Sequence, residues 1–307
     1  MYCIRQCGHT LFRILMFAPW ERVDVEFNEF SVAKADAFKR TIEGLHYCGP
    51  WNASVTERWE KHCEDKEMFF EIISTCSKAS GIKFDGCDLD KALPKNLRSG
   101  LLQSNVRKFY ASGCTVSRGV VEELARIFSE CCLETVEFDW TETNNLSLVH
   151  LVSSLSVHLT TLSFHGVGLV QEEFALLPQM LFEGGCFGLT YLFLGWNDIE
   201  DTAPIRDVVR ICPRLDRIEL GSNPLSSPGC VDSLMSVDVG IHTSLTKISL
   251  ENTGIEKHEM RIMEWIGVHK QVSVVGLMAF ASRRIKRGSS VSKLFSDVDR
   301  LVGSFLI

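Results

Sequence analysis

Histidine, cysteine and carboxylate are the side chains through which a chain of 307 residues with 9 His and 12 Cys could do chemistry. Spacing decides whether it does. A zinc site needs Cys and His at short fixed intervals, but Cys3 and Cys7 stand alone and His62-Cys63 has no second pair at zinc-finger spacing. His258-Glu259 opens the zinc-protease string H-E-x-x-H without its second histidine. Nucleophile elbow, phosphate-binding loop and dinucleotide fingerprint are all missing. His165 has no motif around it, which makes it a contact residue rather than a base. The residues therefore imply no enzyme, no metal site and no cofactor. Cys48, Cys87, Cys114, Cys131 and Cys212 instead fall at recurring apolar or turn positions, where a free thiol behaves as a small buried hydrophobe.

Those recurring positions belong to one repeated phrase, L-x-x-L-x-L-x-x-N/C-x-L. Its clearest copies are Leu159, Leu162, Phe164, Leu169; Leu189, Leu192, Leu194, Asn197, Ile199; Leu215, Ile218, Leu220, Asn223, Leu225; and Leu245, Ile248, Leu250, Thr253, Ile255. Apolar substitutes extend the frame backwards through Leu133, Val136, Phe138, Thr141; Val106, Phe109, Ala111, Cys114; Ala79, Ile82, Phe84, Cys87; and Trp20, Val23, Val25, Asn28, Phe30. A degenerate copy, Leu45, Cys48, Ala53, Val55, lies between the first two, and Val272, Val275, Leu277 and Phe280 suggest a last strand. In a short strand the L-x-L residues point inward and the residues between them point to the other face. Where the chain leaves the strand, a small polar side chain can satisfy backbone groups that stacked coils would bury unpaired. Asn28, Asn197 and Asn223 can do so, and Cys87 and Cys114 are usual substitutes. The ladder is expected to be interrupted at Thr141 and Val167.

A repeat of about 26 to 30 residues leaves room for a helix in each unit. Ser117 caps a predicted helix carrying Val120, Leu124, Ile127 and Cys131, and Ile205, Val208, Val209 and Cys212 form a second stripe that Pro213 ends. Pro178 should break or kink the segment 171–182, and Met260, Met263 and Ile266 form the last apolar stripe. One strand and one helix per repeat resembles the ribonuclease-inhibitor-like class of leucine-rich repeats. That resemblance implies an α/β solenoid, a horseshoe with a parallel concave β-sheet and helices on the convex side. Residues 20–280 form the solenoid, 1–19 a lead-in or cap, and 281–307 a basic hinge and amphipathic helix.

The totals fit one continuous solenoid rather than two domains. No apolar run reaches the length of a membrane span. A net charge of −7 argues against a surface made for nucleic acid. Many unpaired thiols suit a reducing compartment, hence a cytoplasmic address. Residues 1–19 contain Arg5 and Arg13, no acid, and an apolar patch from Leu11 to Phe17, the makeup either of a mitochondrial presequence or of a cap on the first coil.

A binding face follows from the same alternation. Among its displayed positions, Tyr110, Glu137, Asp139, His165, Tyr191, Phe193, Arg217 and Glu219 are candidate partner contacts, with Trp140 and Trp196 alongside. Exposed aromatics rimmed by charge are the usual makeup of protein-interaction hot spots. At the end of the chain, Arg283-Arg284-Ile285-Lys286-Arg287 precedes an apolar stripe, Val291, Leu294, Phe295, Val298, Leu301, Val302 and Phe305. Such a helix covers the open end of the solenoid, docks on a partner, or lies on an anionic membrane surface.

The reading is a non-enzymatic protein-interaction scaffold or adaptor with a protein partner on the concave face. Cys212-Pro213-Arg214-Leu215 with Ile218 and Leu220 is similar to the repeats of F-box proteins, which implies substrate recognition for a ubiquitin ligase as an alternative; residues 1–19 do not fit an F-box helix trio. A structural subunit of a large assembly, a mitochondrial one if residues 1–19 are a presequence, is a second alternative. A GTPase-activating protein of the ribonuclease-inhibitor-like class is a third, against which stands a basic rather than acidic C-terminal stretch.

Overall fold

A computed structural model describes residues 6–7, 10–11, 13–17, 22–27, 51–56, 79–93, 97–103, 106–143, 146–225, 228–235 and 244–267. Strands β1 (Gln6–Cys7) and β2 (Thr10–Leu11) form an antiparallel pair. Ten further strands make one sheet in chain order: β3 (Arg13–Phe17), β4 (Arg22–Phe27), β5 (Trp51–Thr56), β6 (Ala79–Asp85), β7 (Lys108–Ser112), β8 (Thr135–Asp139), β9 (Thr161–Ser163), β10 (Tyr191–Phe193), β11 (Arg217–Glu219) and β12 (Lys247–Ser249). β3 runs antiparallel to β4, and every later neighbour is parallel. Consecutive parallel neighbours require a crossover after each strand, so the chain winds as a coil. The fold is a leucine-rich-repeat solenoid, α/β in class.

The crossovers carry α1 (Leu89–Ala92), α2 (Leu97–Gln103), α3 (Arg118–Phe128), a 3₁₀ turn at Val149–Ser154, α4 (Gln171–Glu183), α5 (Ala203–Ile211) and α6 (Pro228–Met235), while residues 259–267 are helical. Ser117 caps α3 as its sequence indicates, accepting from the Val120 N–H at 3.5 Å. Helix α4 departs from expectation: Pro178 sits inside it and the helix continues. Its face of Phe174, Leu177, Met180 and Leu181 is fully packed between the 3₁₀ turn and α5, and that burial outweighs the one hydrogen bond proline removes. In the last unit Ile266 is buried and Met263 packs against the core as expected, whereas Met260 is 71% exposed and Ile262 takes its place in the buried stripe. One helical turn separates Ile262 from Ile266, and Met260 lies off that line.

Between sheet and helices runs one apolar core. Phe109 lies 5.7 Å from both Phe84 and Phe138, and Phe138 6.3 Å from Phe164. Ala111 takes the second inward position of β7, in register with Phe84 and Phe138, so the large Phe109 at the first position is compensated by a small neighbour. Phe128 of α3 closes on Phe109 edge-on at 5.1 Å.

Strand pairing corrects the first repeat. Val25 and Phe27, rather than Val23 and Val25, stand in register with Ala53 and Val55 and, through them, with Ile82 and Phe84. A two-residue slip keeps the inward-outward alternation, so the pattern alone does not exclude it. Leu45, Cys48, Asn28, the strand expected at 272–280 and the tail 281–307 lie outside the described residues.

Stacking is fastened by the turn ladder. Asn197 Oδ1 accepts the Val167 and Leu169 N–H groups at 3.1 and 3.0 Å, while Nδ2 donates to the Phe164 and Leu194 carbonyls at 2.7 and 3.0 Å. Asn223 repeats this one coil on, donating to Leu194 and Leu220 and accepting from Ile199. Thr141 does not interrupt the ladder, because its hydroxyl donates to Ala111 of the preceding coil at 3.1 Å. The side chain of Val167 is buried and can offer no hydrogen bond.

Candidate functional site

The candidate residues sit on β7 to β11 and on the turns that leave them. Tyr110, in register between Lys83 and Glu137, is only 7% exposed, so it is a packed member of the face rather than a displayed one. Thr135, Ser163 and Ser249 are likewise buried, against the expectation that these positions face solvent. Glu137 and Asp139 are half-buried, and Asp139 accepts the Ser163 hydroxyl at 2.5 Å. Tyr191 and Phe193 stack at 6.5 Å and 17°, both partly open to solvent. The exposed Arg217 places its guanidinium 6.0 Å from the Tyr191 ring, within cation–π range. Glu219 turns along its own strand end, accepting the Gly221 N–H at 3.0 Å.

Where the strands end, the backbone repeats a device that the sequence reading missed. The residue before each ladder position adopts positive φ: Gly86 (65°), Gly113 (60°), Trp140 (53°), Gly166 (65°), Trp196 (58°), Ser222 (57°) and Asn252 (56°). Glycine takes this conformation freely, whereas each non-glycine residue there costs about 1 kcal/mol or more. Coil-to-coil hydrogen bonds hold it, among them Gly113 N–H to Asp139 O at 2.8 Å, Trp140 N–H to His165 O at 2.7 Å and Trp196 N–H to Gly221 O at 2.9 Å. The signal was present in the sequence as glycine preceding Cys87, Cys114 and Val167.

Two tryptophans therefore stand at positions built for glycine, two coils apart. Their rings meet over the intervening coil at 5.4 Å between centroids and 55°, yet Trp140 and Trp196 remain 52% and 53% exposed. Glycine makes the contact possible: a Cβ on Gly166 would stand 2.6 Å from Trp140 Cε3. His165 leans in the same way over Gly195, where a Cβ would lie 3.1 Å from its Nδ1, and its ring meets Trp140 edge-on at 5.3 Å. The structure thus gathers Trp140, His165 and Trp196 into one cluster, with Tyr191, Phe193 and Arg217 as a second group on the sheet. Beside Trp140 opens a cleft of about 630 Å³ whose walls include Glu142, Gly166, Gly168 and Glu173. Neither glutamate stood out in the sequence.

The cluster presents aromatic surface beside carboxylates. Among the described residues no group of three or more His, Cys, Asp or Glu side chains could hold a metal ion. Cys87, Cys114, Cys131, Cys132, Cys186, Cys212 and Cys230 are free thiols, and of these Cys132 is exposed. Burial pushes the Cys131 thiol up to about 11 and that of Cys186 to about 12. A hydrogen bond from the Cys87 thiol holds Cys114 below the usual range, but both sulfurs are shut inside the core.

No protein-family model matches this chain, and no curated protein matches it. Among solved structures it is similar to an internalin from Listeria monocytogenes, at 13% identity over 76% of this chain, with a TM-score of 0.38. The alignment spans 61% of that internalin's length.

Proposed function

We propose that the protein is a non-enzymatic interaction scaffold that binds a partner protein on the open face of its sheet, at Tyr191, Phe193, Trp140 and Trp196. The observation that carries this reading is the Trp140–Trp196 pair. Two large aromatic residues occupy a strained backbone conformation and still spend half their surface on solvent, which a purely structural packing role does not require. The stacked Tyr191 and Phe193, with Arg217 beside them, extend the aromatic surface along β10 and β11. Trp, Tyr and Arg are the residue types enriched at binding hot spots.

Helices in the crossovers support the ribonuclease-inhibitor-like class for these repeats. Pairing of β3 along β4 supports residues 1–19 as a cap on the sheet edge, ahead of a solenoid over 20–280. Free thiols support a reducing compartment. No described helix is long and apolar enough to cross a membrane. The test is proximity labelling and pull-down with wild type and the Tyr191→Ala/Phe193→Ala variant. Loss of specific partners at unchanged thermal stability is the expected result, and equal recovery would refute the site.

A further inference from the structure

We propose that the Trp140–Trp196 pair and the cleft beside it form the seat for an arginine side chain on a basic segment of a partner protein; this deepens the scaffold reading and rests on it. The two indoles lie 5.4 Å apart and tilted by 55° rather than leaving a slot, and about half of each stays exposed to solvent. An indole face carries the negative part of the ring quadrupole and is the best aromatic partner for a cation. No described Lys or Arg is stacked over either indole; the described cation that does stack, Arg217, serves Tyr191.

The counter-charge lies in the cleft. Glu142 and Glu173 line it with Trp140, and no described basic residue does. Glu173 accepts the Val170 N–H at 3.5 Å, whereas the exposed Glu142 carboxylate has no hydrogen-bond or ion-pair partner among the described residues. At Gly168 the cleft wall has no side chain and open space where a Cβ would stand, so a partner's main chain can come close there. Asp139 immediately precedes Trp140 and the exposed Asp198 is bridged to Val170 of the cleft wall, and both add negative charge to a chain of net −7. Arginine fits this setting better than lysine. Its planar guanidinium can lie on an indole while its edge forks to a carboxylate, and it is less strongly hydrated than an ammonium.

The test uses the full chain labelled at its 6 tryptophan indoles and titrated with acetyl-Gly-Arg-Gly-Arg-Gly-amide. Saturable shifts confined to the Trp140 and Trp196 signals are expected, lost in Trp140→Gly and weakened by about fivefold in Glu142→Gln, the effect of a partly exposed charge pair. Trp140→Gly suits the backbone, since Gly86 and Gly113 hold the same position, and Glu142→Gln leaves the aromatic pair in place. No saturable shift, an equal response to the neutral citrulline peptide, equal affinity for the lysine peptide, or a response that survives Trp140→Gly would each overturn the proposal. The partner-recovery experiment separates the two readings. If Tyr191→Ala/Phe193→Ala abolishes recovery while the arginine peptide fails, the scaffold stands and the arginine seat falls. If recovery is unaffected and the peptide fails, both fall.

Discussion

The Trp140 indole occupies the space that Gly166 leaves empty, its Cε3 2.6 Å from where a Cβ would be. Gly166 also has φ of 65°, so Gly166→Ala meets two penalties, backbone strain and a clash with the ring. A loss of about 2 to 4 kcal/mol is expected in denaturant unfolding. In Trp140→Gly the clash is gone, and the second substitution should then cost about 1 kcal/mol less than it does in wild type. Additivity of the two would mean that the ring does not rest on the glycine.

Asn197 satisfies two buried N–H groups and two buried carbonyls across adjacent coils. Asn197→Ala should therefore cost about 3 kcal/mol or more, since each orphaned buried group carries its own desolvation penalty. Among the described residues the Thr253 hydroxyl donates to Leu250 alone, within its own turn, and Thr253→Ala should cost about 1 kcal/mol. Unfolding midpoints compare the two directly, and equal losses would contradict the ladder's division of labour.

Pro178 has no N–H to offer the Phe174 carbonyl one turn back, although it lies within α4. Pro178→Ala is expected to raise stability by about 1 to 3 kcal/mol, visible as an increased Tm. A lower Tm would show that the ring makes packing contacts worth more than the restored bond.

Cys186 is fully buried, and burial raises its thiol to about 12. In the unfolded chain that thiol ionises near its ordinary value of 9.0, so above that pH the unfolded state holds fewer protons than the folded one. Its contribution is complete below about 9 and declines as pH rises towards about 12, at up to about 1.4 kcal/mol per unit. The unfolding midpoint between pH 8 and 11 should fall less steeply in Cys186→Ala than in wild type. Parallel slopes would rule out this linkage.

Met260 and Ile262 are both apolar residues of the last helical segment, yet one is 71% exposed and the other fully buried. Met260→Gln should leave Tm unchanged, while Ile262→Ala should cost about 2 to 4 kcal/mol. The reverse order would restore Met260 to the stripe in place of Ile262.

By itself the sequence determined the coil: Leu192, Ile218 and Ile248 recur in one frame, and the structure lays them side by side in β10 to β12. It also located the caps and turns that depend on near neighbours, such as Ser117 before α3 and Pro213 after α5. Local chemistry is legible because its energies act within a few residues. Features decided between coils were not. The slip to Val25 and Phe27 preserved alternation, Thr141 found its acceptor on Ala111, 30 residues away, and Pro178 was carried by the packing of Phe174, Leu177 and Leu181. The candidate site belongs to this second kind. The sequence named Trp140, His165, Tyr191 and Trp196 as surface aromatics, but their meeting over Gly166, and the cleft that adds Glu142, exist only because stacking places three coils in register and leaves one of them without a side chain.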